Sequence, residues 1–565
     1  MQKQKIAVIL SGCGALDGSE IHESVLSLLA LDRAELPYQC LAPNIPQTRV
    51  VNMADGKIQE HAERNILEES ARIARGKIKD IASANPDDYT AMIFPGGFGA
   101  ALNLCDFGLN KENYSIQEDV FKFAKAMIEA KKPAGFICIA PVLAPKLYPT
   151  GIKITIGNDK ATAEILENLG AQHIPCAAID CVVDKTHKLI STPAYMLARS
   201  IKEVTTDRAE LPYQCLAPNI PQTRVVNMAD GKIQEHAERN ILEESARIAR
   251  GKIKDIASAN PDDYTAMIFP GGFGAALNLC DFGLNKENYS IQEDVFKFAK
   301  AMIEAKKPAG FICIAPVLAP KLYPTGIKIT IGNDKATAEI LENLGAQHIP
   351  CAAIDCVVDK THKLISTPAY MLARSIKEVT TDFKKLFQRE AYTILEIGFG
   401  MGDSLLQQAL QYPENNYLGI EVHRPGIALV LKQIEKLKLN NIKVFYADAT
   451  EILAHYFPKH SLDLVQIFFP DPWPKTRHHK RRLIQAKFIA LLHEKLKLNG
   501  KLHLATDWQD YAQHMLKIME SAPEWQNTVE KNQFTPRPST RPTTKFEKRG
   551  QELGHSTWDL VFRTL

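Results

Sequence analysis

Ile394-Leu395-Glu396-Ile397-Gly398-Phe399-Gly400-Met401-Gly402 reads as an apolar strand running into spaced glycines, and Ser404-Leu405-Leu406 starts a helix pattern. Glycines at the carboxyl end of a strand let backbone and ligand approach closely. Three further strand patterns end in or beside an acid. Tyr417-Leu418-Gly419-Ile420 ends in Glu421, Val444-Phe445-Tyr446-Ala447 in Asp448, and Leu464-Val465-Gln466-Ile467-Phe468-Phe469 runs into Pro470-Asp471-Pro472-Trp473. The interval from Gly398 to Glu421 is one at which a carboxylate accepts ribose hydroxyls. Asp448 is placed to reach the adenine side of such a nucleoside. Glu396 would repel a pyrophosphate but suits a sulfonium cation and an amino group. The pattern predicts an S-adenosylmethionine site built from Glu396, Gly398, Gly400, Glu421, Asp448 and Asp471. The glycines alone leave an ordinary dinucleotide fold open.

Lys475-Thr476-Arg477-His478-His479-Lys480-Arg481-Arg482 follows Asp471 closely. Cations at this density neutralise phosphates and give salt-dependent nucleic-acid binding. A solvated helix start would carry similar charge, but the run adjoins the acid-tipped strand end. A second polar cluster, Thr535-Pro536-Arg537-Pro538-Ser539-Thr540-Arg541-Pro542 and then Thr544-Lys545-Phe546-Glu547-Lys548-Arg549-Gly550, carries prolines that make it an extended loop. Phe546 can stack on a splayed base.

A different chemistry is expected near the other end of the chain. Gly135-Phe136-Ile137-Cys138 is a strand that meets a helix starting near Pro141. A thiol at a helix N-terminus is expected to have a lowered pKa. Gly96-Gly97, after the strand pattern Ala91-Met92-Ile93-Phe94, can bring backbone donors to an oxyanion. A buried structural cysteine is the plainer alternative.

Strands alternating with helices must position all of these residues, which predicts doubly wound parallel sheets. The chain has 565 residues, 45% hydrophobic and 24% charged, values that exclude a disordered chain or a fibre. Residues Asp32 to Thr206 recur without a single change as Asp207 to Thr381. Such identity means a very recent duplication or an error of gene assembly, because surface positions otherwise drift at little cost. Residues 1–31 precede only the first copy and hold a strand from Lys5 to Ser11 and a helix from about Ser19 to Leu31. A helix from Ala194 to Val204 precedes the second copy instead. First strands of such sheets are usually central. Copy two is therefore expected to lack a central strand and to be marginal or to borrow one.

Residues 1–382 carry 42 Lys+Arg against 46 Asp+Glu, whereas residues 383–565 carry 26 against 19. All 11 cysteines precede residue 382. The expected domains are 1–206, 207–382 and 383–565. No run approaches the roughly 20 apolar residues of a membrane helix, and Ile6-Ala7-Val8-Ile9-Leu10 is too short for a signal core. Cysteines without CxxC spacing and without an export signal read as reduced thiols in the cytoplasm. No metal site is expected.

Residues 383–565 resemble the bacterial tRNA (guanine-N7-)-methyltransferases (TrmB family), through FFPDPWPKTRHHKRR, TKFEKRG, Gly554-His555 and Trp558-Asp559-Leu560. The resemblance implies a Rossmann-like fold that binds S-adenosylmethionine through Glu396, Glu421 and Asp448, with Asp471 as the catalytic acid. It implies that Lys475, Asp507, Thr544, Lys545, Phe546 and Glu547 hold the target nucleoside and that Arg477 to Arg482, with His478, His479, Lys480 and Arg481 between, contact tRNA. Members of that family usually carry a basic segment before the glycine motif. Here only the short stretch 382–395 separates the repeat from Glu396, so tRNA affinity is expected to suffer while donor binding survives.

Residues 1–206 resemble the ElbB-type glyoxalases of the class I glutamine-amidotransferase-like superfamily, flavodoxin-like in fold. The matching stretches are ILSGCGALDGSEIHESVL (9–26), FPGGFGAALNLCDF (94–107), GFICIAPVLAPK (135–146), TIGND (155–159) and STPAYMLA (191–198). The resemblance implies a nucleophile at Cys138, contacted by Glu23, and cofactor-free conversion of a small reactive carbonyl, methylglyoxal, to lactate. Related proteases carry His after the cysteine, where this chain has Ile139. Copy two keeps Cys313 but has no counterpart of Glu23. Methyl transfer to tRNA is the expected defining activity. A glyoxalase with a passenger methyltransferase, and a fusion without joint function, are the alternatives. The oligomeric state is not read from the sequence.

Overall fold

The computed structural model describes residues 5–198, 203, 212–353, 355–373, 386–387, 389–543, 547 and 556–565. The chain forms two compact units, Met1–Thr380 and Thr381–Leu565. Among the described residues no helix is long and apolar enough to cross a membrane.

In the first unit, copy one builds a seven-stranded sheet. Its spatial order is Ile78–Asp80, Tyr38–Ala42, Lys5–Ile9, Tyr89–Phe94, Ala134–Ile137, Leu189–Thr192, Val182–Asp184. All neighbours are parallel except the last pair. Lys5–Ile9 is central, as expected, with Val8 opposite Cys40 on one side and Ile93 on the other. Ala7, Val8 and Ile9 are fully buried because helices cover both faces of the sheet. Phe94 and Phe136 stack at 5.0 Å in the larger of the two flanking cores. The leader helix spans Ile21–Arg33 and starts at Glu20, whose side chain accepts from the Glu23 amide.

Copy two repeats the same residues with a different outcome. Its sheet is split where Lys5–Ile9 has no counterpart. One piece pairs Cys215–Ala217 with Ile253–Asp255, and the other runs Met267–Phe269, Ala309–Ile312, Leu364–Thr367, Val357–Asp359. No strand is borrowed among the described residues. The lost leader also uncovers apolar surface. Ile268 is 68% exposed, whereas its counterpart Ile93 packs against the core, and Ile248 is 60% exposed against 8% for Ile73. Each such side chain forfeits on the order of 1.5–3 kcal/mol of burial.

The expected helix near Pro141 is shorter than its pattern suggests, a 3-10 turn Ala140–Leu143 followed by Ala144–Leu147. The expected helix from Ala194 to Val204 begins as a 3-10 turn, Ala194–Met196, and most of its remainder lies outside the described residues.

The second unit holds another seven-stranded sheet, in the order Ile442–Tyr446, Asn416–Glu421, Thr393–Ile397, Leu462–Phe468, Leu496–Thr506, Trp558–Thr564, Trp525–Asn527. The first five strands are parallel and the last two antiparallel. Thr393–Ile397 is central and wholly buried. Apolar clusters lie on both of its faces.

The unpaired edge at Met267–Phe269 carries a measurable consequence. Residues 89–94 and 264–269 share one sequence, so their peptides are chemically identical. Hydrogen exchange of the full chain should give two populations for that peptide, one protected and one exchanging at least tenfold faster. A single protected population would show that copy two has closed its sheet.

Candidate functional site

Four parallel strands of the second unit deliver their carboxyl ends to one edge. Glu396, on the central strand, is buried, and its Oε2 has no hydrogen-bond partner among the described residues. Burial raises its pKa to about 8, a bond from Ser404 works against that rise, and the Glu421 charge adds to it. Ser404 is in turn held by Gln408 at 3.0 Å, and Gln408 exchanges reciprocal bonds of 3.0 and 3.1 Å with Gln466 on the next strand. Glu421 ends its strand with its carboxylate fixed by backbone amides, Oε2 by Gly400 at 2.6 Å and Oε1 by Val422 at 2.7 Å and His423 at 3.0 Å. Asp448 accepts from the Thr450 amide at 2.9 Å.

Gly398 and Gly400 have φ of +75° and +58°, and a Cβ at either would meet nothing within 4 Å. These glycines thus border open space beside an orphaned buried acceptor. Leaving such an acceptor unmade costs about 1–3 kcal/mol, so the arrangement favours a ligand with a donor or a positive charge. An amino-acid sulfonium nucleoside fits this donor and acceptor set.

Asp471 is exposed on the loop after Leu462–Phe468. The loop is strained at Phe469 and Trp473, with φ of +53° and +44°. The basic run forms a 3-10 turn, Thr476–Arg481. Lys475, Arg477, Lys480 and Arg481 are exposed, and His478 and His479 half-buried. Arg481 lies 5.0 Å from the Trp473 ring centre and His478 packs edge-on to the same ring.

Arg482 departs from the expectation that it contacts RNA. It is 3% exposed, its Nε donates to the Pro472 carbonyl at 2.9 Å, and its guanidinium bonds Asp510. It anchors the Asp471 loop to the helix Gln509–Glu520.

Glu547 departs in the same way from its expected hold on the nucleoside. It is buried and takes a fork from Arg541 at 2.9 and 2.7 Å, with Arg537 at 3.2 Å. Arg541 also donates from a terminal nitrogen to Asp559 at 3.1 Å and forms an ion pair with it, Nε lying 2.8 Å from Oδ1, and Asp559 meets His503 Nε2 at 2.8 Å. The Arg541 guanidinium sits 5.8 and 5.7 Å from the Phe468 and Phe469 ring centres. The network therefore ties the C-terminal motif to the base of the Asp471 loop. No local pattern marks His503 or its link to the distant Asp559. Asp507 follows the strand Leu496–Thr506, half-buried. Thr544, Lys545 and Phe546, expected at the nucleoside, lie outside the described residues, as do Gly554 and His555.

In the first unit, Cys138 follows Ala134–Ile137 with φ of +61°, the strained elbow that turns a side chain up from a sheet edge. Glu23 is held over it, Oε2 by the Gly96 amide at 3.0 Å and Oε1 by the Tyr195 amide at 3.1 Å. A Cβ at Gly96 would meet the Cys138 Cβ at 2.2 Å and Glu23 Oε2 at 2.6 Å, so only glycine permits this approach. Burial pushes the Glu23 carboxyl up to about 8, with the Glu20 charge adding to it. The expected low thiol pKa is overturned. Burial raises Cys138, the Glu23 charge adds to the rise, and the amides of Gly97 and Ile139 offset it only in part. The 3-10 turn that follows is too short to supply a large helix field. In copy two, Cys313 has φ of +62° but is half-buried, with no carboxylate in the place of Glu23.

Residues 390–560 match the model of a family described as putative methyltransferase. The chain is 54% identical over 181 residues to the tRNA (guanine-N(7)-)-methyltransferase of Yersinia enterocolitica, covering 32% of this chain and 76% of that protein. It is 51% identical over 198 residues to the protein of the same name from Hydrogenovibrio crunogenus, covering 35% and 82%. Among solved structures it is similar to an isoprenoid biosynthesis protein with amidotransferase-like domain from Ehrlichia chaffeensis, at 36% identity and a TM-score of 0.33, covering 35% of this chain and 92% of that one.

The Glu396 carboxyl gives a pH test that needs no ligand. Its folded pKa, about 8, lies above the ordinary carboxylate value. Its contribution to stability is therefore full at low pH and lost as pH rises towards and through 8. The unfolding free energy of the second unit should fall across pH 5–9, by on the order of a few kcal/mol in total, and Glu396→Gln should flatten that slope. An unchanged slope in the variant would place the titration elsewhere.

Proposed function

The chain belongs to the tRNA (guanine-N(7)-)-methyltransferase family, and from that premise we propose how its second unit moves a methyl group from S-adenosylmethionine to N7 of a guanine in tRNA. The observation that carries the reading is the orphaned Glu396 carboxyl beside the open space at Gly398 and Gly400, next to the strand that leads to Asp471. S-adenosylmethionine supplies an electrophilic methyl group on a sulfonium. Glu396 takes its amino end, Glu421 its ribose hydroxyls, and Asp448 the adenine side. The amides that fix Glu421 hold it in place before binding.

Guanine N7 has an in-plane lone pair and needs no deprotonation. The protein has to align it, which is a proximity effect. Asp471 accepts hydrogen bonds from the guanine N1–H and amino group and fixes the ring. Glu547 is already committed to Arg541 and Arg537, so its role is to brace the loop. Lys475, Arg477, Lys480 and Arg481 present their charges to tRNA phosphates, and Asp507 flanks the nucleoside; the part expected of Thr544, Lys545 and Phe546 falls outside the described residues. Without the basic segment before the glycine motif, fewer phosphates are neutralised and tRNA binding weakens with a shallower salt slope.

A second reading concerns the first unit, and Glu23 set against the Cys138 elbow favours it. The Cys138 sulfur adds to the aldehyde carbon of a small dicarbonyl, whose oxygen takes the thiol proton. Glu23 then carries the proton of that carbon to the adjacent carbonyl carbon while the hydroxyl proton passes to the neighbouring oxygen, which leaves a thioester, and water cleaves its carbon–sulfur bond to release the hydroxy acid and return the free thiol. The two chemistries are assigned to different residues, so each activity should survive loss of the other.

Two experiments test these readings. Asp471→Ala should lower methyl transfer to tRNA by about 10²-fold while calorimetric binding of S-adenosylmethionine stays within a few-fold. Equal losses in both would remove Asp471 from the guanine side. Cys138→Ser should abolish methylglyoxal loss, and Cys313→Ser should leave it unchanged. A halved rate in each would mean that both copies work.

A further inference from the structure

The two copies meet through matching residues. Arg64 pairs with Glu244 at 2.5 Å, and Arg239, its counterpart, pairs with Glu69 at 2.6 Å. Gln59 donates to Glu243 at 3.0 Å, and Gln234 to Glu68 at 2.8 Å. Arg247 bonds the Val51 carbonyl at 3.1 Å, and Arg72 the Val226 carbonyl at 3.4 Å. Residue i of one copy meeting j of the other, and j meeting i, defines an isologous two-fold interface, here within one chain. Arg64, Glu69 and Arg239 are nearly fully buried at its centre.

The symmetry breaks at the cysteine sites. Arg250 of copy two lies 3.8 Å from the Tyr195 ring centre and 2.8 Å from Glu20. Its counterpart Arg75 lies 3.8 Å from the Tyr370 ring, but copy two has no residue in the place of Glu20. Arg247 enters further, 2.9 Å from Asp17 and 3.0 Å from the Cys13 carbonyl, beside Gly14, where a Cβ would leave it only 2.7 Å. Asp17 in turn holds the Val51 amide at 2.8 Å. Glu20 accepts from the Glu23 amide at 2.7 Å.

We infer that copy two serves as a built-in second subunit for copy one, its Arg250 and Arg247 crossing the pseudo-two-fold interface to hold Glu20 and Asp17 and so set Glu23 against Cys138. The chain is then a dimer made by duplication, with one complete site and one bare elbow at Cys313. Copy two persists as a scaffold for the first site rather than as an active half. Arg250 is a positioning residue that acts through Glu20. The inference rests on the reading of Cys138 and Glu23 as a reactive pair.

The test is the rate of iodoacetamide alkylation of Cys138 in the full chain, followed from pH 7 to 11. Cys138 and Cys313 lie in identical peptides, so a Cys313→Ala background is needed to read Cys138 alone by mass spectrometry. The groups facing the pair are Glu20, His22, Tyr195 and Arg250. Arg250→Ala removes the cation that balances Glu20, which disfavours the thiolate. The rate should fall about tenfold at pH 9 and the profile should move to higher pH. Arg250→Lys should recover most of the rate. Arg75→Ala, its mirror image, should leave the rate within twofold. General loosening would instead expose the thiol and speed alkylation, so a faster or unchanged rate in Arg250→Ala, or an equal effect of Arg75→Ala, overturns the inference. Glu23→Gln separates the two levels: it should speed alkylation by relieving charge beside the thiol. No change there removes the reactive pair itself, whereas a change there without one in Arg250→Ala removes only the cross-copy support.

Discussion

A parallel sheet delivers the carboxyl ends of its strands to one edge, and the acids of the second unit and the cysteine elbow of the first depend on that constraint. Glu396, Glu421, Asp448 and Asp471 come from four different strands separated by helices, yet they arrive together because Thr393–Ile397 pairs on both sides with parallel neighbours. Cys138 and the Gly96-Gly97 turn follow the same rule in copy one, and Glu23 reaches them only because Lys5–Ile9 sits next to Tyr89–Phe94. Where the central strand is missing, the edge is broken and the assembly with it.

The duplicated segment isolates what that strand contributes. One and the same sequence folds twice into many of the same elements, down to the stacked Phe94–Phe136 and Phe269–Phe311, although the helix caps differ at Ala74 and Arg250 and at Phe98 and Gly272. The copies differ where the leader should touch them. Ile93 packs against a core and Ile268 faces outward, while Cys138 is buried and Cys313 half-open. Local structure is thus carried by the local sequence, whereas burial is decided by Lys5–Ile9, a strand remote along the chain from the Tyr89–Phe94 it covers.

Away from Glu396 and Glu23, two clusters of buried charge are held by pairing. Arg541 takes Glu547 and Asp559 together, and Arg64, Glu69, Arg239 and Glu244 close a ring between the copies. Such groups cost several kcal/mol each to desolvate, and removing one partner strands the others. Their worth is therefore less in net stability than in fixing which loop meets which. The Arg541 network fixes the C-terminal motif under Phe468 and Phe469, and the interface ring fixes the register in which Arg250 meets Glu20.

The doubly wound α/β class, the glycine turn after Glu396, the acids at four strand ends, the elbow at Cys138 and the missing strand of copy two are all legible in the sequence. Each is written in residues adjacent along the chain, where hydrophobic period and glycine placement act directly. Which partners those groups meet was decided in three dimensions. Arg482 and Glu547 look like surface ligands in a basic motif, but Asp510 and Arg541 take them inward. The Cys138 thiol, low by the pattern of a helix N-terminus, stands high because desolvation and the Glu23 charge outweigh two backbone amides. Arg250 shows nothing in its own neighbourhood to link it with Glu20, far back in the leader. Solvation and long-range pairing depend on what surrounds a side chain in space, and a one-dimensional pattern does not contain that.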